Sequence, residues 1–228
     1  ESPLGFKLES QETVPSSGWK IEKVSDRKVR DEWKPLWGKR AVVEDHFNEL
    51  VIDLVNPAGQ PERMQLVVRG YNDGFAFCYK IPDGKGPCVN VQSELTAYNF
   101  AGDYTAWFYN GENHNIGPEK LTETDGTRLP VMTVKAGDKH YMAIHEACLE
   151  TGAPLVLQSK GGESLFSVAS KPTSLSPGYT SAWRVVLYGT TPGVLTDSHL
   201  LELLNPDPDS RYDFSWVKPG LAVWDWRI

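Results

Sequence analysis

Short apolar runs with the two-residue side-chain period of a β-strand recur along this chain, and a turn containing glycine or proline closes most of them. In the run from His46 to Val55, residues Phe47, Glu49, Val51, Asp53 and Val55 alternate with Asn48, Leu50, Ile52 and Leu54, and Asn56-Pro57-Ala58-Gly59 ends it. Met64 to Gly70 and Phe75 to Ile81 are separated by Tyr71-Asn72-Asp73-Gly74, whose Asp-Gly pair marks a tight turn. Further strands are expected at 89–100, 106–109, 129–135, 140–149, 154–158, 165–169 and 182–188, and the charged stretch from Lys20 to Lys34 reads as edge strand and loop. One segment is helix-like, Thr196 to Leu204, with Asp197 placed to cap it. The pattern predicts an all-β protein, a large antiparallel β-sandwich with few or no helices. Eight Trp, nine Tyr and eight Phe beside 20 Gly and 16 Pro favour the same class.

At 228 residues and 40% hydrophobic, the chain can bury a substantial core. Its 23 basic and 30 acidic residues give 23 − 30 = −7, and no basic run is interleaved with aromatics. Nucleic acid and anionic membrane surfaces are therefore excluded as expected partners. No apolar run has the length of a membrane span, and the first five residues lack the basic and apolar regions of a signal peptide. Trp224 and Trp226 stand in an apolar tail, which calls for a surface to cover it.

Among residues able to carry chemistry, Glu146 stands out because it interrupts an apolar strand. Tyr141, Ala143, His145 and Ala147 share one face, while Glu146 is in line with Met142, Ile144 and Cys148 on the other. A carboxylate there needs a cation, hydrogen bonds or the mouth of a cleft; from the residues alone, a satisfied structural carboxylate is the commoner outcome. His140 and His145 point to opposite faces, there is no Cys-x-x-Cys, and zinc is not expected. No Gly-x-Ser-x-Gly marks a nucleophile elbow. Calcium remains open, since its carboxylates can come from distant strands. Trp183-Arg184 has the composition of a sugar-stacking platform with a polar clamp, but a core Trp beside a surface Arg is the commoner arrangement. Asp73 is accounted for as a turn residue, and Trp33, Trp37 and Trp107 as core or interface aromatics. A hairpin centred near Asp83 would set Cys78 opposite Cys88 at disulfide distance; two free thiols explain the pair equally well, and Cys148 is left over.

Six motifs occur in order: Trp33-Lys34-Pro35-Leu36-Trp37-Gly38, Phe47-Asn48-Glu49-Leu50, Tyr71-Asn72-Asp73-Gly74-Phe75-Ala76-Phe77, Ile144-His145-Glu146-Ala147, Ala182-Trp183-Arg184, and Ser215-Trp216-Val217-Lys218-Pro219-Gly220 with Trp224-Asp225-Trp226. Together they resemble the N-terminal domain of glycoside hydrolase family 97, bacterial α-glucosidases and α-galactosidases. The resemblance implies a β-super-sandwich of the galactose-mutarotase kind over residues 1–214, lacking its first strands, and a linker over 215–228 leading to a (β/α)8 catalytic barrel. It places the acid and the base or nucleophile in that barrel, so that this chain alone is expected to be inactive. It assigns to Glu146 one ligand of a calcium ion shared with barrel carboxylates, beside an oligosaccharide substrate. A periplasmic or secreted bacterial location is implied too, and would permit a Cys78–Cys88 disulfide. Two positions depart from the family pattern: Cys78 stands where Arg is expected, and Glu150-Thr151-Gly152 replaces a more usual Asp-Tyr. Two other functions compete. One is an autonomous carbohydrate-binding module; the other is a mutarotase-like enzyme pairing Glu146 with His140 or His114.

Overall fold

The structure is a computed structural model, and it describes residues 2–10, 18–35, 38–57, 59–109, 115–150, 153–159, 165–168, 174–206, 212–218 and 220–224. Trp37, His114, Thr151, Gly152 and Trp226 lie outside the described residues. The strands are β1 (Phe6–Leu8), β2 (Lys20–Trp33), β3 (Val43–Val55), β4 (Arg63–Tyr71), β5 (Gly74–Lys80), β6 (Val89–Glu94), β7 (Ala97–Asn99) and β8 (Thr105–Tyr109). They continue with β9 (Asn115–Lys120), β10 (Thr127–Lys135), β11 (Tyr141–Ala147), β12 (Leu157–Ser159), β13 (Leu165–Val168), β14 (Ser174–Leu175) and β15 (Trp183–Gly189), followed by the short helices α1 (Pro192–Asp197) and α2 (Leu200–Leu203). Every strand pairing is antiparallel. The all-β sandwich read from the alternation is thus the observed architecture.

A 12-stranded sheet runs β2-β3-β4-β5-β15-β11-β10-β12-β13-β7, with β8 and β9 branching from β10, and a three-stranded sheet runs β1-β6-β14. Three apolar clusters hold the layers together. Phe6, Leu8, Val91 and Leu175 of the small sheet pack on Leu54, Met64 and Tyr79 of the large one. Ala106, Phe108, Met132, Val134 and Ile144 meet Leu155 and Leu157 on the interior side. The opposite face is covered by the helical segment, where Leu200 and Leu204 pack on Val67, Ala76, Cys78, Ala143, Ala147, Trp183, Val185 and Leu187. This division follows the pleat: in β11, Ala143 and Ala147 join the cluster under the helices and Ile144 the interior one, and Trp183, Val185 and Leu187 of β15 all join the first.

Three local expectations are corrected. The segment 89–100 is not one strand, because β6 joins the small sheet and β7 the large one. Thr196 to Leu204 is two helical turns, since Ser198 is extended (φ −58°, ψ 144°) and interrupts the helix, and Asp197 ends α1 without capping a helix. The Cys78–Cys88 hairpin does not exist. β5 pairs with β4 and β15 while β6 pairs with β1 and β14, so the turn at 82–87 separates two sheets and both thiols are free, Cys78 fully buried and Cys88 exposed. The turn between β4 and β5, by contrast, forms as read. Gly74 has φ +154°, and a Cβ there would lie 2.3 Å from the Val186 carbonyl oxygen, so only glycine fits.

Candidate functional site

The pleat sends Arg184 and Glu146 to the interior face, and the β11–β15 register sets them directly opposite each other. The surface Arg expected beside a core Trp is corrected here. Trp183 is buried, and the helices pack on its side of β15, but Arg184 on the other face is interior as well, 1% exposed and bonded to Glu94 of β6. Glu94 completes the group from the end of β6 and is 3% exposed.

The guanidinium engages Glu94 as a fork, with Nε donating to Oε1 at 3.1 Å and Nη2 to Oε2 at 2.6 Å. Nη1 donates to Glu146 Oε2 at 3.3 Å, and Nη2 also donates to the Ala153 carbonyl at 3.2 Å. Thr96 Oγ1 donates to Glu94 Oε1 at 2.7 Å. Glu146 Oε2 additionally accepts the Leu155 backbone N–H in a short hydrogen bond. The segment after β11 is thereby pinned at both Ala153 and Leu155. Burial pushes the Glu146 carboxyl above its ordinary value, and the charge of Glu94 adds to that, while the Leu155 N–H and Arg184 pull against it. Arg184 itself is held above its ordinary value: burial opposes its charge, and the charge and hydrogen bonds of Glu94 outweigh burial.

Glu146 is therefore not the cationless acid its sequence neighbours suggested, yet the three groups sum to −1 + 1 − 1 = −1. Both bonds to Glu146 fall on Oε2, and among the described residues none is recorded to Oε1. A hard cation fits such an oxygen, which is anionic and carries charge that its own surroundings leave unbalanced. No group of three or more His, Cys, Asp or Glu able to hold a metal occurs among the described residues. Cys148, in a left-handed conformation (φ 55°), follows β11, and its N–H donates to Asn205 Oδ1 at 3.0 Å, just after α2.

The other flagged residues do not converge on Glu146. His140 precedes β11, about 20 Å along the strand from Glu146 at strand rise, and its Nδ1 meets the Tyr188 hydroxyl at 2.7 Å. His145 faces away, is pushed below its ordinary value by burial, and accepts the Glu146 N–H at Nδ1. An apolar hollow of about 440 Å³ on the large sheet, lined by Leu66, Phe77, Tyr98, Met142 and Ile144, has no acid or histidine among its described lining residues. The mutarotase-like pairing with His140 thus has no shared cleft. Asp73 is a turn residue whose carbonyl accepts the Tyr188 N–H, and it lines a polar hollow of about 560 Å³ with His46, Tyr71 and His199. Sequence reading missed that hollow because its walls come from well-separated segments. It missed a second feature as well: Arg27, Glu49 and Arg69 sit opposite one another on β2, β3 and β4, with Arg27 Nε 2.5 Å and Arg69 Nε 2.8 Å from the two oxygens of buried Glu49. Arg69 also lies over the rings of Phe47 (4.4 Å) and Trp183 (4.9 Å), which makes that Trp face unavailable as a sugar platform.

Comparison with known proteins gives these strands a lineage. The glycosyl-hydrolase 97 N-terminal family profile matches residues 1–206. A retaining α-galactosidase of Bacteroides thetaiotaomicron is 24% identical across 99% of this chain and 39% of its own length. A probable retaining α-galactosidase of Streptomyces bingchenggensis is 27% identical across 99% of this chain and 35% of its own. A glycoside hydrolase family 97 enzyme from Pseudoalteromonas sp. strain K8, solved with panose and with acarbose, superposes with a TM-score of 0.83 at 26% identity, covering 96% of this chain and 35% of that one. A β-arabinopyranosidase shares the fold at 18% identity and a TM-score of 0.70. This chain thus spans little more than a third of the length of these relatives, and with the family profile running from its first strand through α2, it belongs to glycoside hydrolase family 97 as an N-terminal domain.

Proposed function

We propose that this chain is the accessory sandwich of a retaining exo-α-glycosidase that removes terminal α-linked galactose or glucose, and that Glu146 supplies one ligand of a calcium ion completed by carboxylates of a following barrel. The observation that carries the reading is the charge at Glu146: among the described residues, an interior carboxylate bonded through one oxygen, in a cluster with Glu94 and Arg184 whose formal charge is −1. Family membership supports the glycosidase chemistry, and the retaining activity for which the Bacteroides and Streptomyces relatives are named supports retention. The bond from Cys148, two residues beyond Glu146, to Asn205 after α2 supports the approach of a following domain on this side. Tyr212, Trp216, Leu221 and Trp224 are exposed at 63–95%, apolar area suited to a covering domain.

In this reading Glu146 holds its position through Oε2 and turns Oε1 to the metal. Bound calcium would polarise and orient the glycoside next to the barrel carboxylates that do the acid and nucleophile work. The sandwich holds its ligand, excludes water around it and presents the interface, and it performs no bond cleavage of its own. A periplasmic or secreted location belongs to the same proposal, and cell fractionation tests it.

The experiment compares the 228-residue chain with the full-length protein on aryl α-galactosides and α-glucosides. The full-length protein should hydrolyse one of them with retention, read by proton NMR of the first-formed anomer, while the chain alone does nothing. Hydrolysis by the chain alone, or binding of glycans by it on an array, would replace this reading by an autonomous enzyme or binding module.

A further inference from the structure

We infer that Glu94 and Arg184 act as positioning residues for Glu146: Arg184 orients its carboxylate, and Glu94 cancels the charge of Arg184 so that Glu146 keeps its own for a divalent cation. This rests on the calcium reading above and adds to it a device made wholly of residues in this chain.

Arg184 alone beside Glu146 would form a neutral pair and leave nothing to offset the desolvation of a metal ion. The geometry avoids that. Two nitrogens of the guanidinium are committed to Glu94 at 3.1 and 2.6 Å, and only Nη1 reaches Glu146, at the longer 3.3 Å. Glu94 is held in turn by Thr96 and comes from the other sheet, so its place is set by the packing of the two layers. Arg184 and Glu146 are fixed by a continuous cross-strand register from Tyr141–Gly189 to Ala147–Trp183. Charge and orientation are thereby separated: Arg184 Nη1 steers Glu146 Oε2, while Glu94, holding the other two nitrogens, takes up the guanidinium charge. A lysine could not serve, because one ammonium on a flexible stem cannot bridge two carboxylates in a plane. In an interior of low dielectric, the placement of one unit charge decides whether a neighbouring oxygen binds a cation.

The test is calcium titration calorimetry on the full-length protein and four variants, each checked for folding by circular dichroism. Glu146→Gln should weaken calcium binding, which establishes the parent reading. Glu94→Gln frees the Arg184 charge to neutralise Glu146 and should weaken binding by about 10–100-fold, the range for residues supporting a metal ligand. Adding Arg184→Met to Glu94→Gln removes that charge and should recover most of the affinity lost in Glu94→Gln, to within about tenfold of the parent protein, the remaining loss being that of the orienting Nη1 bond while the Leu155 N–H still holds Oε2. Arg184→Lys keeps the charge but loses the fork, and should weaken binding by about tenfold. A merely structural role predicts the reverse order, with the double variant no better than Glu94→Gln. Unchanged affinity in Glu146→Gln would overturn the calcium reading itself. Weakening in Glu146→Gln together with unchanged affinity in Glu94→Gln, or no recovery in the double variant, would overturn this inference alone. Should Glu94→Gln fail to fold, the double variant decides: a loss of more than about tenfold contradicts the charge argument.

Discussion

Replacing Arg184 by methionine should destabilise this chain more than almost any other single change at a charged position. The side chain is 1% exposed and donates four hydrogen bonds, two to Glu94, one to Glu146 and one to the Ala153 carbonyl. Its removal leaves Glu94, 3% exposed, with Thr96 Oγ1 as its recorded donor. Stranding a buried charge by deleting its partner costs about 3–5 kcal/mol. For a chain of this size each kcal/mol shifts the melting temperature by about 2–4 °C, so Arg184→Met should lower it by about 6–20 °C. Glu94→Gln should cost less, about 1–3 kcal/mol, because Arg184 keeps Glu146 and Ala153. The double variant should recover most of the loss, since a buried ion pair replaced by neutral groups of similar volume is often nearly neutral. Urea melts of the four proteins measure all three values. A cost below about 1 kcal/mol for Arg184→Met, or a double variant less stable than both singles, would refute the claim that the cluster is a buried, mutually compensated network.

Glu49 and Glu146 should respond to acid with opposite signs. Burial raises the Glu49 carboxyl, but hydrogen bonds from Arg27 and Arg69 outweigh it and hold the group below its ordinary value. Its stabilisation is present above the ordinary carboxylate range and is lost as pH falls through the lowered folded value. Glu49→Gln should therefore flatten the acid limb of stability against pH. Glu146, raised by burial, destabilises near neutrality, and that cost is relieved as pH falls through its raised folded value, so Glu146→Gln should remove a gain in stability on mild acidification. Gly74→Ala should cost about 3 kcal/mol or more, because the new Cβ meets the Val186 carbonyl in a backbone conformation that suits glycine; a denaturant melt checks it. Non-reducing peptide mapping should find Cys78 and Cys88 unlinked, and a thiol reagent should label exposed Cys88 quickly but Cys78, whose thiol burial pushes up to about 12, only on unfolding.

The strand alternation was enough to assign the class and even the faces of β11, because a period of two is a local property. Ala143 and Ala147 lie under the helices, and Met142 and Ile144 line the interior, as the pattern requires. What lay beyond the sequence is which faces have a second layer. Alternation opposes Arg184 to a core Trp and so makes it a surface residue, yet Glu94 from the other sheet and the backbone at Ala153 close over it. Its partner Glu94 is 90 positions away and on the other sheet, a distance no spacing rule spans. The Cys78–Cys88 pairing failed for a related reason. A glycine- and proline-rich turn looks the same whether it closes a hairpin or carries the chain from one sheet to the next. Glu146 was legible as an anomaly, an acid in an apolar line, but its dependence on Leu155 and Arg184 needed the folded chain.

The account turns on Glu146 as a calcium ligand, and calorimetric calcium titration of the full-length protein beside its Glu146→Gln variant tests that most directly. The amide keeps the shape and still accepts the Leu155 N–H, but it removes the anionic oxygen that a hard cation prefers. The account predicts calcium affinity at least tenfold weaker and activity severely reduced, while the stability of the 228-residue chain changes by no more than about 1 kcal/mol. Unchanged calcium affinity and activity in the full-length variant, together with a clearly lowered melting temperature of the chain, would contradict it and leave Glu146 a structural carboxylate.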